Sequence, residues 1–236
     1  MKINFSLPKI ILPFLKDRLD HFYLAGGTAL SMFYYEHRGS YDLDFFTKEF
    51  SGAGVSKIVD QLVKDSGWRV ELVAEQNKKD LLKVAVYMVH IDQEKTCKLD
   101  FVEDLVELTH PLKRVDGIDI LSLDDIYLRK LYAAAGHIPS VNEAGQKVFL
   151  GGRHEAKDFY DIYCLSTITM PLSQFVLQQA SPALAEGVVR WYQSYDRMEM
   201  KTGLLDLVTR TKPDHRKMEE HFKVEVGKIL DNMIGE

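Results

Sequence analysis

Cysteine is nearly missing from this chain: Cys97 and Cys164, far apart, are the only two in 236 residues. That excludes a small disulfide-stapled scaffold and offers no zinc-ligand spacing. It fits a reducing cytoplasm, with both thiols read as small buried hydrophobes. Long apolar runs are missing too. Nothing approaches the roughly 18 residues that a membrane-spanning helix needs, so no membrane partner is expected. The opening MKINFSLPKIILPFLKDRLD lacks a clean apolar stretch and a small-residue cleavage site, so it does not read as a signal peptide, and a cytoplasmic location is expected. An excess of positive charge is also lacking. The formal net charge is −5, which argues against a general nucleic-acid binder by bulk charge and leaves room only for a local basic patch. There are no repeats or low-complexity tracts, and neither G-x-S-x-G nor H-E-x-x-H occurs.

What the chain does have is an ordinary globular composition, with 46% hydrophobic and 28% charged residues. Its length suits one large domain or two small ones, with enough apolar residues for a sizeable core. Residues 8–19 read as a helix interrupted by Pro13. FYLAGG reads as a short strand closed by glycines, TALSMFYYEH as a helix, HRGS as a turn and YDLDFFT as a strand. GVSKIVDQLVKDSG has helical spacing and a glycine end. WRVELVAEQ, LLKVAVYMVHID and TCKLDFVED alternate like strands, and RVDGIDILS adds an edge strand. From Ser122 the pattern turns helical. SLDDIYLRKLYAAAG opens on a capping-box-like Ser122 and Asp125 and stops at Gly136. HIPSVNEAGQKVFLGGR reads as a mobile loop, HEAKDFYDIYCLS as a helix, and three or four more helices follow. The reading is an α+β fold: a mixed-sheet α/β domain over 1–121, then a helical domain over 122–236.

Two aspartates inside an apolar strand need a reason, because a carboxylate in such a setting costs free energy unless something binds it. Residues two apart on a strand share a face, so Asp42 and Asp44 project together, opposite Leu43 and Phe45. Asp100, flanked by Leu99 and Phe101, has the same setting. Side-by-side carboxylates raise one another's pKa unless a cation intervenes. Mg²⁺ is the natural cation, since it takes oxygen ligands and is usually held by one or two carboxylates plus substrate phosphates. Solvated strand-edge aspartates would be the bland alternative. Upstream, Gly26-Gly27 follows a strand and precedes a helix, which lets backbone approach a ligand and offers free N–H groups to phosphate, with the Thr28 hydroxyl beside them. A glycine cradle followed by D-x-D is more specific than either alone: one part suits a triphosphate, the other its metal.

LAGGTALSMFYYEHRGSYDLDFF, with the later carboxylate and with LRKLYAAAG and AKDFYDIYCL, closely resembles the AbiEii/AbiGii nucleotidyltransferase-like toxin family of the DNA polymerase β-like superfamily. The resemblance covers about residues 20–165. It departs in Gly-Gly-Thr for Gly-Ser, leaving the serine's part to Thr28. It implies a nucleotidyltransferase-like first half and a helical second half that contributes to the active-site cleft. It also implies a metal-dependent transferase moving an NMP from NTP to an acceptor, with a tRNA 3′ end as the possible acceptor and an antitoxin as the possible partner. Asp42, Asp44 and Asp100 would hold metal. Gly26, Gly27, Thr28 and Lys130 would bind the nucleotide phosphates, and Lys130 and Asp158 would join the catalytic set. Whether Asp100 or Asp158 acts as base stays open.

From the residues themselves, Lys130 lies on a largely apolar helix face and either snorkels to water or meets an anion. Asp158 shares a face with Asp161 and either contacts substrate or pairs with a nearby cation. Arg38 and His37 sit in the turn before D-x-D, where Arg38 could reach a phosphate or water. Lys78, Lys79 and Lys83 read as a solvated charged hairpin. Tyr160, Tyr163, Trp191 and Tyr192 read as core rather than as base-stacking platforms. Two competing functions remain: a nucleotide-binding protein without turnover, and a metal-dependent nuclease, which the glycine cradle argues against.

Overall fold

Period-two alternation in the first half closes into one mixed sheet of seven strands. These are β1 (Tyr23–Leu24), β2 (Leu43–Thr47), β3 (Arg69–Gln76), β4 (Val84–His90), β5 (Thr96–Glu103), β6 (Lys113–Val115) and β7 (Ile118–Ile120), in the order β3-β4-β5-β2-β1-β7-β6. The coordinates are a computed structural model and describe residues 6–78, 81–136, 138–141, 147–150 and 152–235. Two compact units emerge, Lys2–Ile126 and Tyr127–Glu236.

In the first unit, β2 and β5 run parallel, as do β1 and β7, and the remaining pairs are antiparallel. Leu43, Phe45, Leu99 and Phe101 are fully buried. Phe45 stacks on Phe101 at 5.6 Å, and Phe22 meets Phe101 edge-on at 5.2 Å. Each fully buried side chain of this size stabilises by about 1.5–3 kcal/mol, which pins the register. With the register pinned, the intervening positions 42, 44 and 100 are committed to the other face.

Helix α1 (Ser6–Leu15) packs against α3 (Gly52–Ser66) and β5. The helix runs through Pro13 instead of stopping there. The proline ring lies on the exposed side, while Ile11, Leu12 and Leu15 are buried, so their packing outweighs the lost hydrogen bond. Helix α3 begins at Ser51, whose hydroxyl accepts from the Gly54 amide, and ends at Gly67 in the left-handed region (φ +70°). The segment expected to give one edge strand gives two. Asp116-Gly117, both at positive φ, form a two-residue turn that folds β6 back on β7, and β7 then pairs with β1.

Helix α2 (Gly26–Leu30) starts on the glycines themselves, so they form its first turn instead of a loop ahead of it. It continues as a π-helical turn, Ser31–Tyr35, which ends on Glu36 at φ 49°.

The second unit is helical. Helix α4 (Leu123–Ala135) opens on the expected reciprocal cap: the Ser122 hydroxyl donates to Asp125 Oδ2 at 2.8 Å and accepts from the Asp125 amide at 3.1 Å. Helices α5 (Ala156–Ile168), α6 (Leu172–Gln179), α7 (Pro182–Ser194), α8 (Arg197–Asp206) and α9 (His215–Gly235) follow. The stretch read as a mobile loop contains a hairpin, β8 (Ile138–Val141) with β9 (Lys147–Leu150). Its β-prone Ile138, Val141, Val148 and Phe149 were outvoted in the sequence reading by glycines and polar residues around them. Positions 137, 142–146 and 151 of that stretch lie outside the described residues. Phe159 on α5 centres the core, with Phe222 at 4.6 Å, Tyr195 at 5.1 Å and Trp191 at 5.8 Å. Tyr160 and Trp191 are buried and Tyr163 and Tyr192 half-buried, as core residues rather than open platforms. No described helix is long and apolar enough to cross a membrane.

Candidate active site

The parallel pairing of β2 with β5 sets Asp44 directly opposite Asp100, with Leu43 opposite Leu99 and Phe45 opposite Phe101. Two carboxylates thus stand side by side on one face while their apolar neighbours fill the core on the other. Asp42, two residues before Asp44, adjoins them at the entry to β2. All three are half-buried. Their common field is felt by Cys97: burial, then the charges of Asp42, Asp44 and Asp100, push its thiol up to about 12.

Lys98 was not singled out from the sequence, yet it belongs here. Its Nζ lies 2.6 Å from Asp100 Oδ2. Burial works against its charge, but Asp100, Asp42 and Asp44 together hold its pKa above the usual lysine range. Asp100 Oδ1, by contrast, is buried without a hydrogen-bond partner. Among the described residues no three His, Cys, Asp or Glu side chains are drawn together as a ready-made metal cage. The donor set still suits Mg²⁺. The ligands are all oxygen, an orphaned carboxylate oxygen is present, and two carboxylates are as many as Mg²⁺ usually takes from protein when substrate phosphates supply the rest.

The glycine turn touches this cluster. Gly26 lies at φ +68°, and a Cβ there would come within 2.1 Å of Asp44 Oδ2. Only a residue without a side chain lets the start of α2 sit against that carboxylate. A Cβ on Gly27 would come within 2.3 Å of the Arg38 guanidinium. Within the helix, the amides of Gly26, Gly27 and Thr28 have no carbonyl four residues back to bond to. Thr28 turns inward. It is fully buried, and its hydroxyl donates to the Asp42 carbonyl and lies 2.8 Å from Ser40 Oγ, whose own hydroxyl can donate to it. Thr28 therefore ties α2 to the carboxylate strand. Arg38 and His37 do not form a solvated turn: both are buried, with Arg38 donating to the Gly39 carbonyl at 2.8 Å and His37 Nδ1 3.3 Å from Ser31 Oγ.

Lys130 and Asp158 sit within the helical unit. Lys130 is buried, and its Nζ lies 2.7 Å from both Asp158 Oδ1 and Asp161 Oδ2. Arg153 closes the network on Asp158, Nε to Oδ2 at 2.5 Å and Nη2 to Oδ1 at 3.2 Å. Both carboxylates are fully buried. Burial would raise the Asp158 pKa, but Lys130 and Arg153 more than offset it and hold the carboxyl below the usual range. Of the two sequence alternatives for Lys130, it meets anions, and they belong to its own chain. Arg153 was missed, since nothing in its local sequence marks it. The i+3 spacing of Asp161 from Asp158 did mark Asp161. Lys83 pairs with Glu103 at 2.7 Å, and Lys79 lies outside the described residues.

Solved structures share the fold of this chain over most of its length. The structure is similar to that of JHP933 from Helicobacter pylori, with a TM-score of 0.59 and 19% identity over 96% of this chain and 92% of that one. A second H. pylori structure, of a protein described as a candidate nucleotidyltransferase, gives 0.57 and 18% over 96% of this chain and 95% of that one. At such identities the likeness shows the fold: an α+β architecture with a mixed-sheet, nucleotidyltransferase-like first half and a helical second half. Among curated proteins, no sequence matches the chain. A family model described as "Nucleotidyl transferase AbiEii toxin, Type IV TA system" matches residues 15–235. The chain therefore belongs to the AbiEii family of nucleotidyltransferase toxins.

Proposed function

We propose that this protein is a Mg²⁺-dependent enzyme that transfers an NMP from an NTP to an RNA acceptor, a tRNA 3′ end, as the toxin of a cytoplasmic toxin–antitoxin pair. The observation that carries the reading is the in-register pairing of Asp44 with Asp100 beside a glycine turn that only a missing side chain permits. Asp44 and Asp100, with Asp42 adjoining, would hold the metal. Bound there, the ion would neutralise the triphosphate and charge developing on the leaving pyrophosphate. The Gly26 and Gly27 amides face the phosphates as a helix-start cradle. Thr28 acts by positioning, anchoring that cradle to Asp42. Positioning and charge neutralisation supply most of the rate in such transfers. Lys130 as a phosphate contact and Asp158 as an alternative to Asp100 for the base enter through the family resemblance, and Lys130 and Arg153 keep the Asp158 carboxyl below the usual range.

The test is incubation with each labelled NTP, bulk tRNA and Mg²⁺. Label appearing in tRNA, with pyrophosphate released, supports the reading. No transfer with any of the four nucleotides overturns it. One observation favours a second reading, a nucleotide-binding protein without turnover: Lys98 already occupies one oxygen of Asp100. Calorimetric binding of NTP–Mg²⁺ with no pyrophosphate release would decide for it. RNA shortening without added NTP would decide for a nuclease.

A further inference from the structure

The 30 Lys and Arg against 35 Asp and Glu are unevenly spread. Residues 2–126 hold 16 basic against 21 acidic, and residues 127–236 hold 14 of each. Within the helical unit, residues 197–217 contain six Lys or Arg and only three Asp or Glu. This segment builds a groove. Helix α8, the turn after it and the first turns of α9 border an open groove of about 770 Å³, whose charged lining is Arg197, Lys201, Lys212 and Arg216 against Asp214 and Glu219, with Leu204, Leu205 and Pro213 as its apolar part. Leu205 is 66% exposed, and Met198 beside it is 70% exposed.

The local acids are already committed. Glu219 Oε1 accepts from Arg197 Nε at 2.8 Å and from the Tyr195 hydroxyl at 2.8 Å. Asp214 caps α9, accepting from the Arg216 and Lys217 amides at 3.1 and 3.3 Å. Lys201, Lys212 and Arg216 have no carboxylate partner among the described residues. Exposed lysines scattered on a surface are ordinary. Four basic against two acidic side chains around one apolar-floored groove, on a protein of net −5, leave a local excess of positive charge that suits an anion.

We propose that the α8–α9 groove is an RNA-binding site, which takes a single-stranded segment of the acceptor with its phosphates on Lys201, Lys212 and Arg216 and its base faces against the apolar floor. A polyanion approaching a net-negative protein is repelled at long range, so an enzyme of this charge that acts on RNA must gather its cations locally. Single strands are held without sequence readout by a cationic groove that tracks the backbone, with side-chain faces for the bases; aromatic platforms are the usual form, and here Leu204, Leu205 and Pro213 offer an aliphatic one. The inference rests on the RNA-acceptor reading above and assigns that acceptor a place on the chain.

The experiment is fluorescence anisotropy with bulk tRNA and with a short single-stranded RNA, using the full chain from about 50 to 200 mM KCl. The triple substitution K201Q, K212Q and R216Q should weaken binding of both probes about tenfold or more. It should also make the log–log salt slope shallower by about 2, at roughly 0.7 per lost phosphate contact. These side chains are exposed, so the far-UV dichroism should stay as in the wild type; each single substitution, expected to lower the slope by about 0.7, serves if the triple fails to fold. K57Q with K64Q, on the exposed side of α3, should change neither quantity. Wild-type affinity and slope in the triple variant would overturn the groove assignment while leaving the RNA reading intact. RNA binding by neither protein would overturn both. Loss of an acidic protein partner with RNA binding unchanged would overturn the RNA assignment in favour of a protein surface.

Discussion

Gly26 is where single-residue chemistry is sharpest. Its left-handed backbone would cost any L-residue about 1–2 kcal/mol, and an added methyl would meet the Asp44 carboxylate. Gly26→Ala should therefore lower stability by that amount and displace Asp44. Thermal unfolding would read the first effect, and loss of NTP-dependent labelling of tRNA the second. Asp44→Asn and Asp100→Asn should each cut labelling by about 10²–10³, the usual loss when a charge-stabilising group is removed. Lys98→Met makes the opposite demand. It removes the ammonium that competes for Asp100 Oδ2, so calorimetry with Mn²⁺ and no nucleotide should show tighter binding than in the wild type. Unchanged affinity would mean that Lys98 does not hold that oxygen in solution. Asp42, Asp44 and Asp100 were visible in the sequence because each is an acid at a strand position between apolar residues. Lys98 was invisible because an alternating polar position beside a carboxylate looks like any solvated strand residue.

At the scale of elements, helices α4 and α5 are joined by the ion network of Lys130, Arg153, Asp158 and Asp161. Breaking one partner of a buried pair costs about 3–5 kcal/mol, because the other charges stay behind. Lys130→Met should lose that much stability at neutral pH by urea titration. The pH dependence has a definite sign. In the wild type Asp158 titrates below its unfolded value, so its contribution is present above about pH 4 and fades as pH falls through the lower folded value. Without Lys130 the two carboxylates face Arg153 alone, so protonating one becomes favourable in the folded state. The deficit should then shrink as pH falls toward 5 from about 8. A constant deficit across that range would refute the coupling. Helix and strand positions were mostly legible from periodicity, as were the caps at Gly67 and Ser122; the Ser51 cap went unread. The hairpin β8–β9 and the unbroken α1 were not, since both depend on partners that a local window does not contain.

For the molecule as a whole, membership of the AbiEii toxin family makes growth the natural readout. Induced expression of the chain should slow growth. The Asp42→Ala, Asp44→Ala double variant, expressed to the same level and folded by circular dichroism, should not. A neighbouring antitoxin gene, co-expressed, should restore growth to the wild-type toxin. Slowed growth with the double variant would separate toxicity from the carboxylates. At the same scale, net charge is an average over unlike parts. The net −5 speaks against nucleic-acid binding only when charge is averaged, and the excess of acid lies in residues 2–126 while the α8–α9 segment is basic.

By itself the sequence determined the α+β class, the apolar faces of β2 and β5, and therefore that Asp42, Asp44 and Asp100 must leave the core side. The two-residue strand period admits no other arrangement once Leu43, Phe45, Leu99 and Phe101 are buried. Tertiary structure alone decided that β2 and β5 are parallel neighbours with Asp44 level with Asp100, that Gly26 abuts that pair, and that Lys130 is held by two aspartates. Register between strands fifty residues apart, and ion pairs between helices, are set by packing across the chain, and no local stretch of residues encodes them.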